Sequence, residues 1–188
     1  MKRSLHLSIL ILFVLTVCSY SQIYLGLGAN YLIPIGAFKD YNQNCYGIHL
    51  EVTNKNYCKL WYGLRFDYIP LEKKDIVVDY YKSLVGFSGF LKFAPFIKDC
   101  YDNKLIPYIE GQLTLSSITT TENFPNSSSN LGFGGGLGLG IAFNFKLFKK
   151  CWMLDLDGLF FAPNSIFRDK NRTNLQSINV GLTLSMCL

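Results

Sequence analysis

The chain has 188 residues, 49% of them hydrophobic and only 16% charged. That size and composition suit one domain and exclude a disordered polyelectrolyte arm. The formal charge is +5, but Lys2 and Arg3 lie in a removable leader; without them sixteen basic residues face thirteen acidic ones, a balance that gives no reason to expect a nucleic acid or another polyanion as partner.

Residues 1–21 read as a secretory signal peptide, with Lys2 and Arg3 as its charged region, Leu7 to Val17 as its apolar region, and Ser19 and Ser21 as the small residues before cleavage ahead of Gln22. A membrane anchor is the rival reading, yet the run from Leu5 to Val17 contains His6 and Ser8 and falls short of the ~18 apolar residues a spanning helix needs. A lipoprotein would use Cys18 as acyl acceptor, but Val17 stands where a bacterial lipobox carries a small residue. Residues 22–188 form the mature domain and hold no second long apolar run.

That domain is dominated by period-two alternation, the pattern of strands with unlike faces. In chain order, the apolar face carries Leu25, Leu27 and Ala29; Ile48, Leu50 and Val52; Leu64, Phe66 and Tyr68; then Val85, Phe87, Leu91 and Phe93. It continues with Leu105, Ile109, Leu113 and Leu115; Leu137, Leu139, Ile141 and Phe143; Trp152, Leu154, Leu156 and Phe160; and finally Ile178, Val180, Leu182, Leu184 and Met186. The opposite faces hold Gly, Ser, Thr, Asn and a few charges. Longer connections (Ile33 to Cys45, Pro70 to Ser83, Ser117 to Asn130, Pro163 to Thr173) trade places with shorter ones (Asn54 to Tyr57, Ile97 to Lys104, Lys146 to Lys150). Long on one side and short on the other is the loop asymmetry of an outer-membrane barrel.

The expected fold is therefore all-β, an eight-stranded antiparallel up-and-down transmembrane barrel. A lipocalin-like soluble barrel has the same alternation turned inside out, and three features choose between them. The polar face is made of small residues rather than the Lys and Glu of a wet surface. The apolar face carries essentially no charge, as lipid contact requires. Tyr31, Tyr46, Tyr57, Tyr62, Tyr68, Tyr101 and Trp152 fall near strand ends, where amphipathic rings form interfacial girdles. A sixteen-stranded porin would consume roughly 160 residues in strands alone and is excluded by length.

The signal ending in Ser19-Tyr20-Ser21-Gln22, the opening Gly26-Leu27-Gly28-Ala29-Asn30-Tyr31 followed by Pro34-Ile35-Gly36, the element Phe93-Ala94-Pro95 and the glycine-rich sixth strand resemble the small bacterial outer-membrane β-barrel domain family related in shape to OmpA and OmpX. The resemblance spans the mature chain. It implies the outer membrane of a Gram-negative bacterium, with outer-membrane lipid and lipopolysaccharide around the barrel and the barrel-assembly machinery as a partner during insertion. Within that family the PorT-like group suggests an alternative role as an accessory barrel of a secretion apparatus. Leu188 departs from the family, which usually ends on an aromatic residue.

The predicted lumen holds Arg65 and Lys92 against Glu51, Asp67, Glu110, Asp155 and Asp157, with His49 among them. An eight-stranded barrel is just wide enough for side chains to fill it, so these residues are expected to form a hydrogen-bonded polar plug that fixes register. The alternative is a narrow path that favours cations. His49 is the single histidine left after signal removal, so a two-histidine metal site is excluded and any Ser-His-acid relay would centre on this residue. Lipid-modifying enzymes do exist on such barrels, but a non-enzymatic role without cofactor or metal is the expectation. The glycines between Gly132 and Gly140 recur every second residue and lack the Gly-x-Gly-x-x-Gly spacing of a nucleotide site. They fit a strand that makes room for bulk on other walls.

Cys18 leaves with the signal, and five cysteines remain. Cys151 and Cys187, at the ends of neighbouring strands, are the expected disulfide, with Cys58 and Cys100 as a weaker second pair; Cys45 is left over near the outer surface. The long loops display Phe38, Ile76, Val77, Val78, Phe124, Ile166 and Phe167, and a surface-interaction role with a protein partner is expected to reside there.

Overall fold

The computed structural model describes residues 22–55, 59–74, 80–97, 104–120, 131–167 and 174–188. Alternation of apolar and small polar residues produces eight strands: β1 (Gln22–Ile35), β2 (Cys45–Lys55), β3 (Leu60–Pro70), β4 (Tyr81–Phe93), β5 (Leu105–Thr120), β6 (Leu131–Leu147), β7 (Lys150–Phe167) and β8 (Gln176–Cys187). Each strand pairs antiparallel with the next, and β8 pairs with β1 from Tyr24↔Cys187 to Ile35↔Gln176. The sheet is thus a closed barrel in chain order, which leaves no edge strand with unpaired backbone groups.

The two faces sort as the alternation requires. Leu27, Leu50, Leu64, Phe87, Leu113, Leu139, Leu156 and Leu182 point outward and are each 45% or more exposed, whereas Glu51, Arg65, Lys92, Glu110 and Asp155 lie inside at 1% or less. At the end of the barrel that carries the short connections, the turn end, β6 passes into β7 through Phe148 and Lys149, both with positive φ (50° and 62°). This is the backbone of a two-residue type I′ hairpin.

The opposite, loop end departs from the sequence expectation. β5, β6 and β7 run for 16, 17 and 18 residues, beyond the ~9–11 that a tilted strand needs to cross hydrocarbon. β5 continues past Ser116 because Ser117 to Thr120 pair with the start of β4. The segment from Pro163, expected as a loop, continues β7 through a bulge: Gly135 pairs with Ala162 and Phe133 with Phe167. A bulge suits Pro163, which has no N–H for a regular ladder. Gly134 is the residue that admits the bulge, since a Cβ there would lie 2.0 Å from the Ala162 carbonyl oxygen. Ser116 Oγ donates to the Gly132 and Pro163 carbonyls at 3.2 and 3.1 Å and ties the bulge to β5.

Phe38, expected to be displayed on a loop, is instead buried. It sits in a short 3-10 helix (Gly36–Asp40) that turns into the barrel mouth, helped by Gly36 at φ 57°, a value that costs glycine little. Phe38 joins Leu32, Cys45, Ile69, Leu71, Tyr81, Leu84, Ile118, Leu159, Phe161 and Leu175 in one apolar cluster. Asn42 pins this cap: its Nδ2 donates to the Glu72 and Tyr81 carbonyls at 3.0 and 2.8 Å, and its Oδ1 accepts from the Tyr81 N–H at 3.3 Å. Ile166 and Phe167, by contrast, are exposed as expected, while Ile76, Val77, Val78 and Phe124 lie outside the described residues.

The turn between β6 and β7 yields a direct test. A side chain in the left-handed region costs about 1 kcal/mol or more per residue, so replacing Phe148 by Asn and Lys149 by Gly should stabilise the barrel by about 1–2 kcal/mol. Urea unfolding should show a higher midpoint at unchanged slope.

Candidate functional site

The interior is stacked in three layers. The apolar cap described above closes the loop end. A second cluster, Tyr24, Trp61, Ala94, Ile97, Ile106, Tyr108, Ala142 and Met153, closes the turn end. Between them lies the charged layer, and the structure brings most of its sequence-predicted members into one network.

Glu51 on β2 is the hub. Its Oε2 accepts from Arg65 Nη2 at 2.7 Å and from Arg65 Nε at 3.1 Å, a two-pronged contact that holds the guanidinium plane. Its Oε1 accepts from Lys92 Nζ at 3.1 Å and from Thr53 Oγ1 at 2.6 Å. Arg65 Nη2 also donates to Asp157 Oδ2 at 3.0 Å, and Lys92 Nζ to Asp155 Oδ2 at 2.7 Å. Tyr108 donates its hydroxyl to Asp155 Oδ1. Glu110 faces both cations at longer range, 4.0 Å from Arg65 and 3.8 Å from Lys92. Asp67 stands apart from the ion pairs, accepting from Asn30 Nδ2 at 2.7 Å. His49 Nε2 meets Thr183 Oγ1 at 2.6 Å.

Strand register explains how groups this large fit. The inward residues Tyr108, Glu110, Gln112, Thr114 and Ser116 of β5 pair across to Gly140, Gly138, Gly136, Gly134 and Gly132 of β6. The glycine run of β6 is therefore the mould for the inward face of β5. At Gly140 an added Cβ would lie 2.2 Å from the Tyr108 ring and hydroxyl. Elsewhere the same complementarity recurs: Gly26 pairs with Glu51, Gly28 with His49, Gly86 with Asp67, and Gly181 with Asp157.

Several partners went unnoticed in the sequence. Thr53, Tyr108, Asn30 and Thr183 are ordinary inward polar positions until the fold brings them against charge. Phe90 lies on the inward face of β4, where the Lys92 ammonium is 4.9 Å and the Arg65 guanidinium 5.9 Å from its ring centroid, a cation–π arrangement. Lys55 lies 3.9 Å from the Trp61 ring centroid at the turn end. Its nearness to strong inward aromatics is the one signal that could have singled it out.

Cys151 and Cys187, the expected disulfide, stand as two free thiols in this structure. Cys151 precedes Trp152 and Cys187 follows Met186, so both stand one position beyond the Trp152↔Met186 pair toward the turn end, but Cys187 Sγ turns to the carbonyl oxygen of Leu188 at 3.8 Å. Cys45, expected near the outer surface, is a buried free thiol inside the loop-end cap. Cys58 and Cys100 lie outside the described residues.

As an assembly, the layer pairs Arg65 and Lys92 with Glu51, Asp155 and Asp157, while neither carboxylate oxygen of Glu110 has a hydrogen-bond partner among the described residues. His49 Nδ1 has no hydrogen-bond partner among the described residues, so no carboxylate orients the ring as a catalytic relay would need. Among the described residues no three His, Cys, Asp or Glu side chains gather in a metal-holding group. Removing one partner of a buried pair strands the others and costs about 3–5 kcal/mol. Arg65→Met should therefore destabilise the barrel by that amount in urea unfolding. Asp67→Asn, which leaves the ion pairs intact, should cost only about 1 kcal/mol.

No protein-family model and no curated protein matches the chain. Among solved structures, Neisserial surface protein A aligns with 88% of this chain and 97% of its own at a TM-score of 0.60 and 9% identity. Two others align at lower scores: the attachment invasion locus protein Ail of Yersinia pestis (0.48, 12% identity, 89% of this chain and 97% of its own), and the N-terminal β-barrel domain of Pseudomonas aeruginosa OprF (0.46, 15% identity, 89% and 99%). What this chain shares with Neisserial surface protein A is the fold, an eight-stranded closed barrel spanning nearly the whole of both proteins.

Proposed function

We propose that this protein is an integral outer-membrane β-barrel of a Gram-negative bacterium, exported by its leader, non-enzymatic, plugged along its axis and acting through its loop-end surface. One observation carries the reading: the outward face is a continuous apolar band around all eight strands. Leu27 (62% exposed), Ile48 (58%), Leu137 (71%) and Leu139 (67%) are typical of it. Charged residues of the strand centres, meanwhile, face inward. Water-soluble proteins rarely expose apolar patches beyond a few hundred Å². A bilayer reverses that preference, and closure of the sheet satisfies every strand edge as hydrocarbon demands.

The axis supports a plug rather than a path. Arg65 and Lys92 are spanned by carboxylates on β2, β5 and β7, and apolar clusters close both ends of the layer. An ion would have to break these pairs and cross two greasy caps. Interaction with a protein or with lipopolysaccharide then falls to the loop end, where Tyr46, Ile166 and Phe167 are 71%, 63% and 65% exposed. Tyr31 and Tyr46 form a ring pair there, with centroids 4.9 Å apart.

Three measurements test the proposal. The folded protein should migrate differently on a gel before and after boiling, and a chain that is monodisperse in buffer without detergent would overturn the reading. Leu182→Arg, a charge placed on the outward face, should cost about 2–4 kcal/mol if it sits near the bilayer midplane. Planar-bilayer recordings should show no conductance above the bare membrane, and steady cation-selective steps would overturn the plug.

A further inference from the structure

We propose that the outward groove along β6 and β7 is a phospholipid site, with one acyl chain lying over Gly158 and an anionic headgroup of the turn-side leaflet resting on Lys149 and Lys150. The inference rests on the membrane-barrel reading above. The groove is a hollow of about 670 Å³ in the apolar surface, and a second one of about 620 Å³ lies over Gly89 and Gly111 on β4 and β5. Gly158 makes it, because its outward position lacks a side chain and a Cβ there would meet nothing within 4 Å. Its cross-strand partners Leu139 and Val180 stand on either side, and Ile141 and Leu156 line the same hollow. Toward the turn end Pro107 and Phe96 complete the lining.

The occupant follows from what the groove leads to. From Ile141 the strand continues through Phe143 and Phe145, whose rings stack with centroids 5.9 Å apart, to the β6–β7 turn. That turn reads Lys146-Leu147-Phe148-Lys149-Lys150 and is fully described, with all three lysines exposed and no acid among its five residues. Six residues at ~3.3 Å each, tilted near 45°, place Leu147 and its cross-strand partner Lys150 roughly 14 Å nearer the interface than Ile141, within half of a ~30 Å hydrocarbon core. An apolar hollow at acyl depth below a cationic, aromatic-flanked turn at headgroup depth has the charge and shape of a single anionic phospholipid. Lipopolysaccharide belongs to the leaflet on the loop side and does not reach these lysines.

Native mass spectrometry of the full chain, released from vesicles of phosphatidylethanolamine and phosphatidylglycerol, is the test. The wild type should leave the vesicles carrying one phospholipid, phosphatidylglycerol in preference to phosphatidylethanolamine. Gly158→Leu, whose Cβ meets no atom within 4 Å and whose side chain fills the hollow, should lower that retention about tenfold. Leu139→Trp fills the same hollow from the neighbouring strand and should do likewise. Joint replacement Lys149→Asn and Lys150→Gln should leave a lipid bound but erase the preference for the anionic one. Equal retention by wild type and both filled variants would overturn the proposal, as would an unchanged preference without the lysines, or release as a lipid-free dimer joined through this face. A wild type that shows no heat-modifiable gel shift fails the membrane-barrel reading itself. A wild type that shifts but leaves the vesicles bare fails this site alone.

Discussion

Eight strands closed on themselves leave an interior just wide enough for side chains to fill, so bulk on one wall has to be matched by room on another, and this constraint organises the rest of the molecule. The solution is complementarity across register: five consecutive inward positions of β5 carry side chains, and the five facing positions of β6 carry none. Gly140 yields to Tyr108, and Gly28 yields to His49, whose ring lies 2.2 Å from where a Cβ would stand. A one-residue slip would bring glycine to the outside and leucine to the axis on an entire strand. The packing of the lumen and the register of the wall are therefore the same specification.

The charged layer acts within that specification. Buried ion pairs are rarely worth more than apolar packing of equal volume, so the contribution of Glu51, Arg65, Lys92, Asp155 and Asp157 is better understood as selection of one arrangement than as net stability. Glu51 accepts from Arg65 on β3 and Lys92 on β4, and these in turn reach Asp157 and Asp155 on β7. The network thus ties non-adjacent walls to one another. A closed sheet held by neighbour-to-neighbour ladders gains cross-lumen ties in this way. The apolar caps above and below keep water from competing for the same hydrogen bonds, which strengthens each of them.

Most of this was legible in the sequence, and the parts that were not share a cause. Alternation places Arg65, Lys92, Glu51, Glu110, Asp155 and Asp157 on one face without any structure, because period two is enforced at every residue of a strand. Apolar residues on the inward face carry no such signature. Trp61, Met153 and Leu159 occupy positions that alternation assigns to the lumen, yet their chemistry resembles the outward band, and the two caps they help to build were not anticipated. Phe38 was misplaced for a related reason: it lies beyond the strand, where periodicity stops informing and the direction of a short 3-10 helix decides. The bulge at Pro163 changes the count of residues on one strand relative to its partner, so no pattern read along a single strand reveals it. Whether Cys151 and Cys187 bond depends on side-chain rotation after the register has brought them side by side.

The proposed plug moves the functional question to the two surfaces that remain. At the loop end β5, β6 and β7 rise past the apolar band and carry Ile166 and Phe167 into the exposed layer, so the scaffold spends chain length on projecting that side. At the turn end the chain is economical, with two residues joining β6 to β7, yet its exposed positions there are basic and aromatic rather than small. A turn needed for topology alone would favour Asn and Gly at its positive-φ positions. Phe148 and Lys149 accept the backbone cost instead, and the physical gain that offsets such a cost is contact with something apolar and something anionic at the same depth.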